Sequence, residues 1–199
     1  MDRLLDNIII FIRQNQEMDD EQSAIVRYGL EMIILKSLFF IGAMAIGVLM
    51  HSFWECGIFF LFFSILRSYA GGYHAKTRRR CFVQSMLTFS IVLVILKCAE
   101  VMPHMSIVIV VLAIISAIVL WLISPVDCEN KQLEIDEKIV FQKKTRVCLC
   151  IEMIIAIIAV TIGFYGISRA VMLAHIVEGI LATMGLAFRN GKEEVNEQE

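Results

Sequence analysis

The sequence predicts an all-α integral membrane protein: a bundle of six transmembrane helices, preceded by an amphipathic helix at the bilayer surface. Three observations carry that prediction. Of 199 residues, 58% are hydrophobic and only two are proline, and the mean hydropathy of +0.74 lies far above the soluble range. The apolar residues gather into runs long enough to cross a hydrocarbon core of about 30 Å, which takes about 20 helical residues each. Lys and Arg concentrate in alternate connections, the pattern that sets membrane orientation.

The chain reads as one domain in three parts. Residues 1–25 hold the opening MDRLLDNIIIFIRQ, which lacks a basic leader with a small-residue cleavage site and is not read as a secretory signal. Its Leu4, Leu5, Ile8, Phe11 and Ile12 share a helical face opposite Asp6, Arg13 and Gln14. Such a face suits a helix lying on the membrane, or equally one packed on the bundle's own end. Residues 32–188 hold the spans, expected near Met32–Met50, Trp54–Ala70, Phe82–Val101, Met105–Ser124, Val147–Gly163 and Ala170–Phe188. Residues 189–199, with GKEEVNEQE, read as a mobile acidic tail.

Orientation follows from the basic loops. The connection after the second span carries Lys76, Arg78, Arg79 and Arg80, and that after the fourth carries Lys131, Lys138, Lys143, Lys144 and Arg146. The other three connections contain only Arg169. Both termini and both basic loops are therefore expected to be cytoplasmic, in a multi-pass protein of the plasma membrane. Two of the six cysteines, Cys81 and Cys128, fall in or beside those loops. A reducing cytosol keeps such thiols free, so no disulfide framework is expected.

The stretch Arg67–Cys81, RSYAGGYHAKTRRRC, stands apart from its apolar surroundings. The strongly apolar part of the second span, Cys56–Leu66, is too short to cross alone. Either the helix begins near His51 and Arg67 lies within the inner leaflet, or the segment ends early and the chain dips back. Gly71 and Gly72 weaken a helix by about 1 kcal/mol each relative to Ala and permit positive φ, so a break is expected there. His74 and Cys81 form the candidate reactive pair, because an imidazole can take the proton of a thiol and nearby Lys and Arg favour the thiolate. On a straight helix a separation of seven leaves the two side chains about 10 Å apart along the axis. A non-helical or kinked segment within Ala75–Arg80 is therefore expected. A solvated surface histidine and a small apolar cysteine are the plainer readings of the same residues.

RSYAGGYHAKTRRRC, followed in the next basic loop by SPVDCENKQL, resembles the AgrB family of quorum-sensing membrane endopeptidases. The resemblance covers most of the chain, including the six residues between His and Cys. It implies a bacterial enzyme that cuts an AgrD-like precursor peptide and promotes its cyclisation. Cys81 would attack the peptide carbonyl, with His74 as general base and then acid. A thiol of the precursor would then attack the acyl-enzyme thioester and leave as a thiolactone. The resemblance marks Arg67 and Gly72 as shaping the site and matches Lys131 to the lysine after the Pro-Val-Asp turn. The family usually has Pro after that lysine, where Gln132 stands here. Asp127 is a candidate third member, and Gln84, one turn beyond Cys81, a candidate polar neighbour or oxyanion donor.

The basic side chains Arg78–Arg80, Lys143, Lys144 and Arg146 suit the acidic tail of such a precursor, or anionic lipid. No cofactor, metal or nucleic acid is implied. VCLC at 147–150 places two cysteines on different helical faces and reads as packing. Small residues in the first and last spans, among them Gly47, Gly179 and Gly185, allow close helix approach within the bundle or in a homodimer. Glu152, His175 and Glu178 are ionisable groups at membrane depth and need a partner or a cavity. They support the main rival reading, a small-peptide transporter; a non-catalytic membrane scaffold is the third.

Overall fold

The computed structural model describes residues 2–15, 19–73, 78–126 and 134–196. These form seven helices: α1 (Asp2–Asn15), α2 (Asp20–Leu49), α3 (Phe53–Ala70), α4 (Arg78–Val101), α5 (Pro103–Ile123), α6 (Ile135–Thr161) and α7 (Tyr165–Asn196). Five of them, α2, α3, α4, α5 and α7, are long and apolar enough to cross a membrane. The protein is a multi-pass helical membrane protein. The final eighteen residues of α6 carry Lys144, Arg146 and Glu152, more charge than an ordinary span holds.

Each helix lies where an apolar run predicts one, and the differences are at the ends. α2 and α6 each begin twelve residues before the expected span, because their polar amino-terminal turns continue the same helix. At the start of α6, Glu134 and Glu137 form a reciprocal capping box that satisfies two amino-terminal N–H groups. Pro103 opens α5, at a position where its missing N–H costs nothing. α7 runs on to Asn196, into the segment read as a tail.

The described chain divides into two compact units, residues 1–45 and 46–199. In the first, α1 is tied to α2 by an Asp6–Arg27 ion pair of 2.8 Å and by Arg13 Nε donating to Ser23 Oγ at 2.8 Å. In the second, α7 is the central element, packed against α3, α5 and α6. Within its amino-terminal half, Ala170–His175 is buried throughout. Gly179 lets α5 come close: a Cβ there would lie 2.9 Å from Ser116 Cβ. α4 is joined to α3 through the Phe59 and Phe89 rings, 6.1 Å apart, and to α7 where Arg169 Nη1 donates to Ala99 O at 2.6 Å.

Two ionisable groups of α6 and α7 meet inside this bundle. His175 Nε2 lies 2.7 Å from Glu152 Oε2, with both side chains almost wholly buried. Glu152 is thus the partner that an intramembrane His175 requires.

Gly179→Val forces two methyl groups into the α5–α7 contact, and overpacking of this kind costs about 1–3 kcal/mol. Thermal unfolding in detergent should show the variant melting several degrees below the parent; an unchanged midpoint would mean that the two helices do not pack there.

Candidate active site

The site is built where α3 ends, α4 begins, and the segment after α5 returns to the bundle. α3 continues through Arg67 to Ala70, so Arg67 occupies its last turn. At about 1.5 Å per residue, its eighteen residues span about 27 Å, close to the hydrocarbon thickness. The helix therefore does not end early at Leu66. It stops at the expected place, with Gly71 at φ +74° and Gly72 at φ +114°.

Those two glycines thread a narrow gap. Gly71 pairs with Val126 in an isolated parallel bridge, in which Val126 N–H donates to Ala70 O at 2.8 Å and Gly72 N–H to Val126 O at 3.3 Å. Tyr73 N–H donates to Leu181 O on α7 at 2.9 Å. A Cβ on Gly71 would collide with Val126 O, and one on Gly72 would lie 2.9 Å from Leu181 O and 3.0 Å from Ala182 Cα. Gly185 completes the fit from the other side, since its own Cβ would stand 2.6 Å from Tyr73 N. Beneath the turn lies an apolar cluster of Leu66, Ala70, Leu120, Val126, Leu149 and Ala182, drawn from α3, α5, α6, α7 and the post-α5 segment.

Arg67 holds the turn by its carbonyls. Its Nη1 donates to Gly71 O at 2.6 Å, its Nη2 donates to Tyr73 O, and Nη1 also lies 3.2 Å from Glu178 Oε1 on α7. The planar guanidinium fork suits this work, because it presents several donors in one fixed geometry. Arg67 and Gly72 therefore brace the backbone at residues 71–73.

α4 begins three residues before Cys81, and its first turn contains no acid. Cys81 is half-buried and free. The unpaired N–H groups of a helix's first turn favour an anion there. Tyr73 and one face of α4 (Arg80, Val83, Gln84, Leu87, Thr88 and Ile91) line a groove of about 490 Å³, and Cys81 is not among its lining residues. The face grades from Arg80 and Gln84 near the helix start to Leu87 and Ile91 deeper along it. Gln84 is thus one helical turn from Cys81 and on the groove.

The remaining candidates divide. His74, Asp127 and Lys131 lie outside the described residues. Arg78 and Arg79 belong to the first turn of α4, but their side chains are outside the description. Because Arg78–Arg80 are helical, the bend expected within Ala75–Arg80 does not occupy its last three residues; the described break is Gly71–Tyr73, where positive φ and the Val126 bridge make a helix impossible. Lys143 and Lys144 are exposed on α6, and Lys144 Nζ sits 5.3 Å from the Tyr69 ring and 5.9 Å from that of Phe141. Arg146 is stacked 5.0 Å from the Trp121 ring. Lys144 and Arg146 thus engage aromatic rings at this end of the bundle.

Tyr73 and Glu178 are the contributors that sequence reading missed in these roles. Tyr73 has its N–H and carbonyl both engaged, its ring 5.1 Å from Phe188, and one face on the groove. The signal for Glu178 was present: an arginine in one span and an acid in another must each find an opposite charge.

The model of the family Accessory gene regulator B matches residues 5–183. The chain belongs to that family. It is also 27% identical over 168 residues to an AgrB-like protein of Clostridium perfringens (strain SM101 / Type A), covering 79% of this chain and 78% of the relative. No solved structure matches it. Membership in the AgrB family connects the chain with quorum-sensing peptide processing and with an AgrD-like precursor as substrate.

Two glycine substitutions should separate tight from open positions. Gly72→Ala meets backbone at about 3 Å and a φ that L-residues avoid, whereas a Cβ on Gly57 meets nothing within 4 Å. Gly72→Ala should abolish precursor processing while the protein still reaches the membrane, and Gly57→Ala should leave processing and melting at or above the parental level.

Proposed function

We propose that this protein is a membrane cysteine endopeptidase that cleaves an AgrD-like precursor at the cytoplasmic face and closes the product into a thiolactone. The reading is supported above all by the Arg67-braced glycine turn, which immediately precedes His74 in the sequence, and by the start of α4, which carries Cys81. On this view the bundle has six crossings, with the apolar part of α6 as the fifth, and both termini are cytoplasmic.

Cys81, deprotonated by His74, attacks the carbonyl at the end of the signal segment, and a C–S bond forms. As the C–N bond breaks, the imidazolium returns its proton to the leaving amine, and the acidic tail departs. A thiol within the retained segment then attacks the acyl-enzyme thioester. One C–S bond replaces another, Cys81 is regenerated, and the exchange is nearly balanced in energy. Gln84 and the first-turn N–H groups of α4 are the donors best placed to stabilise the oxyanion.

The groove along α4 suits the apolar part of the precursor, its Arg80–Gln84 end lying towards the scissile bond. Arg78–Arg80, Lys131, Lys143 and Lys144 would attract the acidic tail or anionic headgroups, and Asp127 would orient His74.

Reconstituted vesicles supply the test. Cys81→Ser and His74→Ala should each reduce precursor cleavage by at least about 10³-fold, since removing a nucleophile or its base forfeits the covalent route. The parent should accumulate a hydroxylamine-sensitive precursor adduct on Cys81. Full cleavage by Cys81→Ser would remove Cys81 as the nucleophile and sink the cysteine endopeptidase reading; no cleavage by the parent would favour a transporter, for which Glu152, His175 and Glu178 would be the residues to pursue.

A further inference from the structure

We propose that Glu178 is a positioning residue for peptide cleavage: its carboxylate keeps Arg67 turned inward, where the guanidinium holds the Gly71 and Tyr73 carbonyls and hence the segment entering His74. This inference rests on the endopeptidase reading.

Glu178 is wholly buried, and the Arg67 side chain is 15% exposed. Arg67 stands in the last turn of an apolar helix, and long basic side chains at such ends ordinarily extend towards the water and headgroups. In this protein the guanidinium points into the bundle instead, towards α7. The Glu178 contact at 3.2 Å supplies the opposite charge that makes the inward position tenable. Among the described residues Glu178 makes no hydrogen bond to the glycine turn itself; it acts through Arg67, whose Nη1 is shared between Glu178 Oε1 and Gly71 O.

The pairing is selective. One turn earlier on α7, His175 is engaged with Glu152 at 2.7 Å. Among the described residues, the second oxygen of Glu178 has no hydrogen-bond partner. Arg67 is therefore the cation that serves Glu178, and Glu178 the anion that serves Arg67. Without the carboxylate, the guanidinium is expected to swing outward and release both carbonyls. The N–H groups of Gly72 and Tyr73, which donate to Val126 O and Leu181 O, would then exchange with solvent more readily.

The full chain in lipid nanodiscs, given a precursor peptide, provides two readouts: the single-turnover rate of acyl-enzyme formation, and hydrogen exchange at Gly72 and Tyr73. Glu178→Gln should slow acylation at least tenfold, change the half-saturating precursor concentration less than threefold, and speed exchange at both amides. Glu178→Asp should recover part of each effect, and it carries the test alone if the Gln variant does not fold. Glu152→Gln, which also removes a buried carboxylate, should leave both amides protected. Parental acylation and exchange in Glu178→Gln, or equal loss of protection in Glu152→Gln, would overturn the inference. If Cys81→Ser cleaves normally, the endopeptidase reading fails; the exchange measurements still report separately whether Glu178 governs the turn.

Discussion

A guanidinium at the end of an apolar helix must be met by something other than water, and the way this protein meets Arg67 organises one whole end of its bundle. The charge is neutralised by Glu178 on α7, and the remaining donors are spent on the carbonyls of Gly71 and Tyr73. A single side chain thus joins α3, α7 and the turn between α3 and α4. Breaking a buried pair of this kind by removing one partner typically costs about 3–5 kcal/mol, because the other charge is left uncompensated. Set against a total stability of about 5–15 kcal/mol, that is enough to decide the conformation of a short turn.

The same turn solves a second problem. Irregular backbone at membrane depth survives only where protein supplies the hydrogen bonds that lipid cannot. The N–H groups of Gly72, Tyr73 and Val126 all donate to carbonyls of neighbouring segments, and two carbonyls accept from Arg67. Such close exchange of bonds demands that backbones nearly touch. Glycine at 71, 72 and 185 makes this possible, and at 71 and 72 it also permits the positive φ. The apolar cluster around Leu66, Val126 and Ala182 then seals the turn from below.

Much of this was legible in the sequence, for identifiable reasons. Runs of apolar residues announce helices because hydrocarbon leaves the backbone no other partner, and each of the six runs is helical. The break at Gly71–Gly72 was legible because paired glycines weaken a helix locally. Helix ends were less so: α2 and α6 extend by about three turns through polar residues that no hydropathy pattern marks. The partner of Arg67 was the larger omission. Arg67 and Glu178 are 111 positions apart, and helix order alone does not say which faces of α3 and α7 meet. Glu178 was therefore grouped with its sequence neighbour His175 and with Glu152 of the preceding helix, although the bundle gives those two to each other.

The arrangement also bears on why a nucleophile at this position would favour cyclisation over simple hydrolysis. In the proposed mechanism a thioester on Cys81 would face two competitors, water and a thiol of the bound peptide. The peptide thiol gains from proximity, since an intramolecular group can act at an effective concentration far above any free solute. Water would be disfavoured by the apolar Val83, Leu87 and Ile91 that share this α4 face with Arg80, Gln84 and Thr88. A site on this face would keep polar side chains, Arg80 and Gln84, near the helix start. It also keeps enough apolar wall to hold a peptide while its ring closes. A turn that drifted towards the solvent would lose the second property before the first, which is why rigidity at Gly71–Tyr73 matters more to the proposed chemistry than any single charge in the basic loops.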